Sequence, residues 1–153
     1  MSYIKKSLDI VVFGGGGFIG SAILREAAKR SLSIIPVGRN VSTTNLKCNK
    51  VHVGNALDPS TYDDLLETTK CVVVTIGSPP LPWPLNPLSK EEIIKFNGDC
   101  CRIPIERAAE KGVENIILIN ASMPKMMSYL LPGYYEGKMT VSYTHLRAHE
   151  TPA

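Results

Sequence analysis

Seven residues near the start of the chain, "GGGGFIG" from Gly14 to Gly20, have the types and spacing to hold a phosphate group. Gly15, Gly17 and Gly20 satisfy G-x-G-x-x-G, and Gly14, Gly17 and Gly20 satisfy G-x-x-G-x-x-G. A pyrophosphate site needs one glycine to turn the chain at positive φ. It needs another so that backbone N–H groups approach the anion with no Cβ in the way, and a third so that a helix packs close to a strand. The helix that follows then aims its free N–H groups and positive dipole end at the phosphates. No Gly-Lys-Ser/Thr follows, which excludes a Walker-type loop. A branched side chain at Gly17 would occupy the space of the pyrophosphate, so Gly17→Val is expected to abolish cofactor binding. A second chemical signal lies in "VGRN", where Arg39 stands at the place that dinucleotide folds usually give to an acid holding the ribose 2′-hydroxyl. A guanidinium there suits a 2′-phosphate. The expected cofactor is therefore NADP(H) over NAD(H), by about 1.5–3 kcal/mol for one charge-assisted contact.

These groups need elements to position them. "LDIVVF" (Leu8 to Phe13) is an apolar, β-branched run that predicts a strand buried on both faces, and "SAILREAAKR" carries Ile23, Leu24 and Ala27 at helical spacing. Further strands are predicted over Leu32 to Val37, Lys50 to Gly54, Cys71 to Gly77 and Asn115 to Asn120. A long helix is predicted from Ser89 to Gly112, capped by Ser89 with Glu92, kinked at Pro104 and ended by Gly112. Alternation of strands and helices predicts an α/β fold with a doubly wound parallel sheet of order 3-2-1-4-5. "SPPLPWPLNPLSK" after the fourth strand is too rich in proline for regular structure. It reads as a stiff loop at the carboxyl ends of the strands, where ligands bind in such sheets, with Trp83 available to cap a substrate or to pack. A polyproline ligand for a partner domain is the other reading of the same loop.

Bulk properties narrow the function class. A chain of 153 residues with 44% apolar and 20% charged residues suits one globular domain. A net charge of +3 with no run of like charges gives no argument for nucleic acid or a membrane surface. No apolar run is long enough to span a bilayer. Cys48, Cys71, Cys100 and Cys101 have no C-x-x-C spacing, which predicts reduced thiols and no zinc site. His145 and His149 are spaced i, i+4 beside Glu150, but two histidines without a third ligand make a poor metal site.

Taken in order, "VVFGGGGFIGSAI", "VGRN", "VVVTIGSP", the helix carrying Asn97, "GVENIILINAS" and "GYYEGK" resemble an atypical short-chain dehydrogenase/reductase. The likeness covers roughly Leu8 to Lys138. Within that superfamily the chain is similar to the branch related to the 39 kDa-type subunit of respiratory complex I and to organellar proteins of quinone metabolism. The resemblance implies that Gly14, Gly17, Phe18, Ile19 and Gly20 hold the pyrophosphate and that Arg39 holds the adenosine phosphate. It places Asn55 and Ala56 near the adenine, with Asn55 where the family often has Asp, and Thr75, Ile76 and Gly77 along the ribose. It makes Ser122, Tyr134 and Lys138 the catalytic set. In that chemistry Tyr134 protonates the alkoxide as hydride arrives, Lys138 lowers the tyrosine pKa and binds the nicotinamide ribose, and Ser122 holds the substrate oxygen.

The implied function is hydride transfer to a small carbonyl or quinone-related substrate. The alternative is a non-catalytic NADP(H)-binding subunit or assembly factor of a mitochondrial respiratory or quinone-biosynthesis complex. No targeting peptide is visible before the first strand, so an organellar location rests on the resemblance, with the cytoplasm as the other reading. The segment "VSYTHLRAHET" (Val141 to Thr151) resembles the translation of a transposase-type sequencing-library adaptor. On that reading residues 1–139 are an incomplete dinucleotide-binding domain, cut before a sixth strand. Residues 140–153 are a non-native or disordered tail, and the chain as written aggregates or binds NADPH poorly.

Overall fold

Strand β1 (Leu8–Phe13) is the centre of the sheet, because both of its faces are covered. Val11 and Val12 are fully buried and point to opposite faces. In the computed structural model, which describes residues 8–41, 48, 50–82 and 85–148, Val12 packs with Leu24 of helix α1 (Phe18–Lys29) and Val73 of strand β4 (Thr69–Val74). Phe13 meets the Tyr62 ring edge-on, with centroids 4.8 Å apart. The Tyr62 hydroxyl donates to the Ala56 carbonyl at 3.2 Å, which satisfies the polar end of a ring that is otherwise buried.

The sheet is parallel throughout, in the order β3-β2-β1-β4-β5, as predicted. Strand β2 is Ile34–Gly38, β3 is only His52–Val53, and β5 is Asn115–Leu118. Each strand is shorter than the sequence suggested except β1, because pairing stops where a neighbour ends. With β3 two residues long, β2 finds partners on that side only at Val37 and Gly38.

The chain divides into two compact units. The first, residues 1–75 and 103–119, holds the sheet, α1, the short helix α2 (Asp63–Leu66) and most of helix α4 (Asp99–Glu110). Within it Arg107 of α4 makes a bidentate pair with Asp63 at the start of α2. That guanidinium holds the Asp63 carboxyl below its ordinary pKa. The second unit, residues 76–102 and 120–153, is built on helices α3 (Lys90–Asn97), α5 (Met127–Leu130) and α6 (Pro132–Ala148).

Two expectations about helices are corrected. The single helix predicted from Ser89 to Gly112 is two, α3 and α4 (Asp99–Glu110), broken at Gly98 with φ −104° and ψ −84°. Pro104 lies inside α4, which is continuous from Asp99 to Glu110. The Ser89–Glu92 capping box is present, and Gly112 follows α4 at φ +72°. The second correction concerns the segment after Met139, expected to lack regular structure. Helix α6 continues through it to Ala148, and Val141 is buried. Among the described residues no helix is long and apolar enough to cross a membrane. Trp83, the side chain of His145, and His149 lie outside the described residues.

Candidate functional site

The first unit carries the glycine turn. Gly14 has φ +83°, a left-handed conformation that disfavours a side chain, and its N–H donates to Val37 of β2. A Cβ on Gly15 would lie 2.5 Å from the Cβ of Pro36, and one on Gly20 would lie 2.3 Å from the Gly14 carbonyl oxygen. These two glycines therefore serve close packing of turn, strand and helix. A Cβ on Gly16 would meet nothing within 4 Å, and one on Gly17 would meet only the Gly14 carbonyl, at 3.3 Å. The turn thus divides into a packed side and an open side, as a backbone cradle for an anion requires.

Helix α1 starts from this open side. Gly17 is its N-cap, no side chain caps it, and its first turn holds no acid. The first intrahelical bond is Ser21 N–H to the Gly17 carbonyl, so the N–H groups of Phe18, Ile19 and Gly20 have no acceptor within the helix. Phe18 is 93% exposed and Ile19 is 45% exposed, large apolar side chains held at the surface beside those donors. This fits a pyrophosphate.

The remaining cofactor candidates of this unit are placed as follows. Arg39 is exposed in the turn after β2. The Asn55 carboxamide oxygen accepts from the Leu57 N–H at 3.2 Å, which fixes the local turn, and the Ala56 carbonyl receives the Tyr62 hydroxyl. The Thr75 hydroxyl lies 3.0 Å from the Phe13 carbonyl and 3.2 Å from that of Gly14, tying the end of β4 to the glycine turn.

The second unit carries the tyrosine and lysine. Tyr134 and Lys138 stand one turn apart on α6, and the lysine ammonium lies 5.7 Å from the tyrosine ring centroid. Lys138 is 6% exposed. A Cβ on Gly77 would lie 3.3 Å from Lys138 Nζ and 3.3 Å from the Asn97 Oδ1, so Gly77 admits both groups to one place. Asn97, fully buried, donates to the Ser78 hydroxyl at 2.8 Å and to the Ile93 carbonyl at 2.9 Å, and accepts from the Ser78 N–H at 3.2 Å. The Cys101 thiol donates to the Ile76 carbonyl at 3.2 Å, and burial pushes its pKa up to about 11, which keeps it neutral beside Lys138.

The electrostatics correct one expectation. Burial lowers the Lys138 pKa, and burial together with the neighbouring Cys101 raises that of Tyr134. Lys138 therefore does not make Tyr134 a stronger acid here. Solvent exclusion is the largest cause of the shift in both groups. The phenol stays protonated and remains able to give its proton to an alkoxide, which is the stronger base.

Ser122 is exposed, and among the described residues it makes no hydrogen bond to Tyr134 or Lys138. The second unit thus brings Gly77, Tyr134 and Lys138 together but does not join Ser122 to them. Two positioning groups escape the sequence reading. Asn97 is legible there only as part of a helix. Asn120 donates to the Lys138 carbonyl at 3.3 Å and to the Ser142 hydroxyl at 2.8 Å, holding α6 in place behind Lys138. The signal for both is a polar residue inside an otherwise apolar stretch. Among the described residues no group of three or more His, Cys, Asp or Glu is gathered to hold a metal ion.

The model of the NAD dependent epimerase/dehydratase family matches residues 10–122. An uncharacterized chloroplastic protein of Arabidopsis thaliana is 26% identical over 151 residues, covering 95% of this chain and 48% of the relative. A short-chain dehydrogenase/reductase superfamily protein of Agrobacterium tumefaciens with bound NAD superposes with a TM-score of 0.73 at 16% identity, over 94% of this chain and 46% of that one. A UDP-galactose 4-epimerase superposes with a TM-score of 0.73 at 18% identity, over 90% of this chain and 50% of that one. The chain spans about half the length of these relatives.

Proposed function

Because this chain belongs to the NAD dependent epimerase/dehydratase family, whose members are nicotinamide-dinucleotide-binding Rossmann proteins, we propose that it acts as an NADP(H)-dependent reductase of a small carbonyl or quinone-related compound. The observation that carries the reading is the buried Lys138 gathered with Tyr134, Gly77 and Asn97. Burying a lysine is costly, and a chain that keeps one beside a tyrosine has a use for the pair.

The cofactor, when bound, supplies hydride. The glycine turn holds its pyrophosphate through the N–H groups of Phe18, Ile19 and Gly20. Arg39 supports the preference for NADP(H), although the family model is named for NAD. Tyr134 gives its proton to the carbonyl oxygen. Lys138 holds the ribose, and Asn97 fixes the backbone at Ser78 beside it. In the expected outcome, NADPH oxidation with an aldehyde panel falls by about 10²–10⁴-fold in Tyr134→Phe, the range for a lost general acid. Unchanged turnover in that variant removes Tyr134 from the mechanism.

A second reading is supported by Ser122, which is exposed and unlinked to Tyr134. On that reading the chain is an NADP(H)-binding subunit or assembly factor without turnover, in a respiratory or quinone-biosynthesis complex. Tight NADPH binding with no oxidation on any carbonyl would support it. The chloroplastic relative favours an organellar location for either function.

A further inference from the structure

Within the second unit a cavity of about 210 Å³ opens beside α6, and Tyr134 forms part of its wall. Most of the rest of the wall is apolar, made chiefly by Leu81, Leu88, Ile93, Leu130 and Leu131. Among the described residues two further polar ones reach it, and both are engaged elsewhere. Lys90 pairs with Glu136 at 3.2 Å. The Asn86 carboxamide accepts from the Leu88 N–H at 3.1 Å and donates to the Leu81 carbonyl at 3.4 Å.

We propose that this cavity is the substrate pocket and that the substrate is a small apolar carbonyl compound, of the size of a single ring or a short alkyl chain. The inference rests on the reading of Tyr134 as proton donor. Its support is the composition of the wall. A diphosphate-linked sugar, of the kind that gives UDP-galactose 4-epimerase its name, would bring negative charges and hydroxyls into it. The wall answers them with leucine and isoleucine, and the cation it has among the described residues, Lys90, is paired with Glu136. Polar groups that lose water in such a site without gaining a partner weaken binding. A benzene ring or a chain of a few methylenes instead gains by leaving water for an apolar wall. The volume is below the usual range of about 300–1,000 Å³ for drug-sized ligands, which again selects a small molecule.

The chemistry balances. One hydride, supplied by a reduced nicotinamide dinucleotide as it is oxidised, forms the new C–H bond at the carbonyl carbon. The C=O π electrons move to oxygen, which takes the Tyr134 proton, and the phenolate regains a proton from water. The product is the corresponding alcohol.

Two measurements on the whole chain test the proposal. Saturation-transfer NMR with benzyl alcohol reads the pocket without any cofactor. NADPH oxidation with benzaldehyde, hexanal and glyceraldehyde reads the chemistry. Leu130→Asp and Leu81→Asp place a charge in the wall at residues 61% and 42% exposed, where folding tolerates it. The expected result is benzyl alcohol binding weakened at least tenfold by either variant and retained in Tyr134→Phe. The kcat/KM for benzaldehyde and hexanal is expected to exceed that for glyceraldehyde at least tenfold. Binding that neither variant disturbs, or a preference for glyceraldehyde, overturns the pocket assignment. Absence of benzyl alcohol binding to the Ile117→Lys chain, whose β5 edge is blocked, overturns it too. Benzyl alcohol binding that both variants weaken, with no turnover of any aldehyde, overturns the substrate assignment by removing the reductase reading, and leaves only an apolar site.

Discussion

Lys138 is buried on α6, one turn from Tyr134. A buried ammonium with a lowered pKa destabilises the native state wherever it is charged. The sign follows from proton counts. Between its lowered native pKa and the ordinary lysine value, the unfolded chain binds more protons than the native chain, so stability rises with pH across that window. Below the window both states hold the proton and the cost is constant. Lys138→Met is therefore expected to raise the thermal midpoint at pH 7 and to flatten its rise at alkaline pH, while removing turnover. Thermal unfolding of both proteins from pH 6 to pH 10 checks this. A midpoint that falls in Lys138→Met would mean that the ammonium contributes to folding. The residues of this cluster are unevenly legible in the sequence. A four-residue spacing marks Tyr134 and Lys138. That Ser122 stays exposed, and that burial raises the tyrosine pKa, depends on distances and solvent exclusion that no spacing carries.

At the scale of elements, the contact of α3 with α6 sets the cluster. A Cβ on Gly137 would lie 2.9 Å from the Asn97 Cβ and 3.0 Å from the Ile94 carbonyl oxygen, and one on Gly98 would lie 2.8 Å from that same carbonyl oxygen. Gly133, one turn earlier on α6, sits against Lys90 in the same way. Glycines four apart thus bring the two helix backbones close enough for Asn97 and Lys138 to share one place. Gly137→Ala is expected to cost about 1–3 kcal/mol, the range for overpacking. Glu136→Ala removes only the exposed pair with Lys90 and is expected to cost at most about 1 kcal/mol. Urea denaturation compares them, and equal costs would mean that close helix approach does not set the cluster. The strands are legible because uninterrupted β-branched runs such as "IVVF" and "CVVV" have no other stable home than a doubly covered sheet. The helices are less so. Proline in a sequence suggests a kink, yet the break falls at Gly98, a glycine that also lies close to the Ile94 carbonyl and to Gly137. The glycine pair of α6 overlaps the Tyr-x-x-x-Lys spacing, and nothing in that spacing marks a helix contact.

At the scale of the whole molecule, β5 matters most. It pairs with β4 on one side only among the described residues, and Ile117 and Ile119 are 46% and 36% exposed. An apolar strand with an open edge is a template for another chain. The 153-residue chain is expected to self-associate with rising concentration, and Ile117→Lys is expected to shift it toward monomer in sedimentation velocity. Association unchanged by that substitution would place the contact elsewhere.

The proposed binding of NADP(H) by the glycine turn and Arg39 can be measured by calorimetric titration. Ile117→Lys, as the monomeric background, is titrated with NADPH and NADH, alone and with Gly17→Val or Arg39→Ala added. The expected result is saturable binding of NADPH about tenfold to a hundredfold tighter than NADH, the equivalent of one charge-assisted contact. Arg39→Ala should erase that difference, and Gly17→Val should abolish binding of both while the protein stays folded. NADH binding as tightly as NADPH, or a folded Gly17→Val protein that still binds either one, would contradict it.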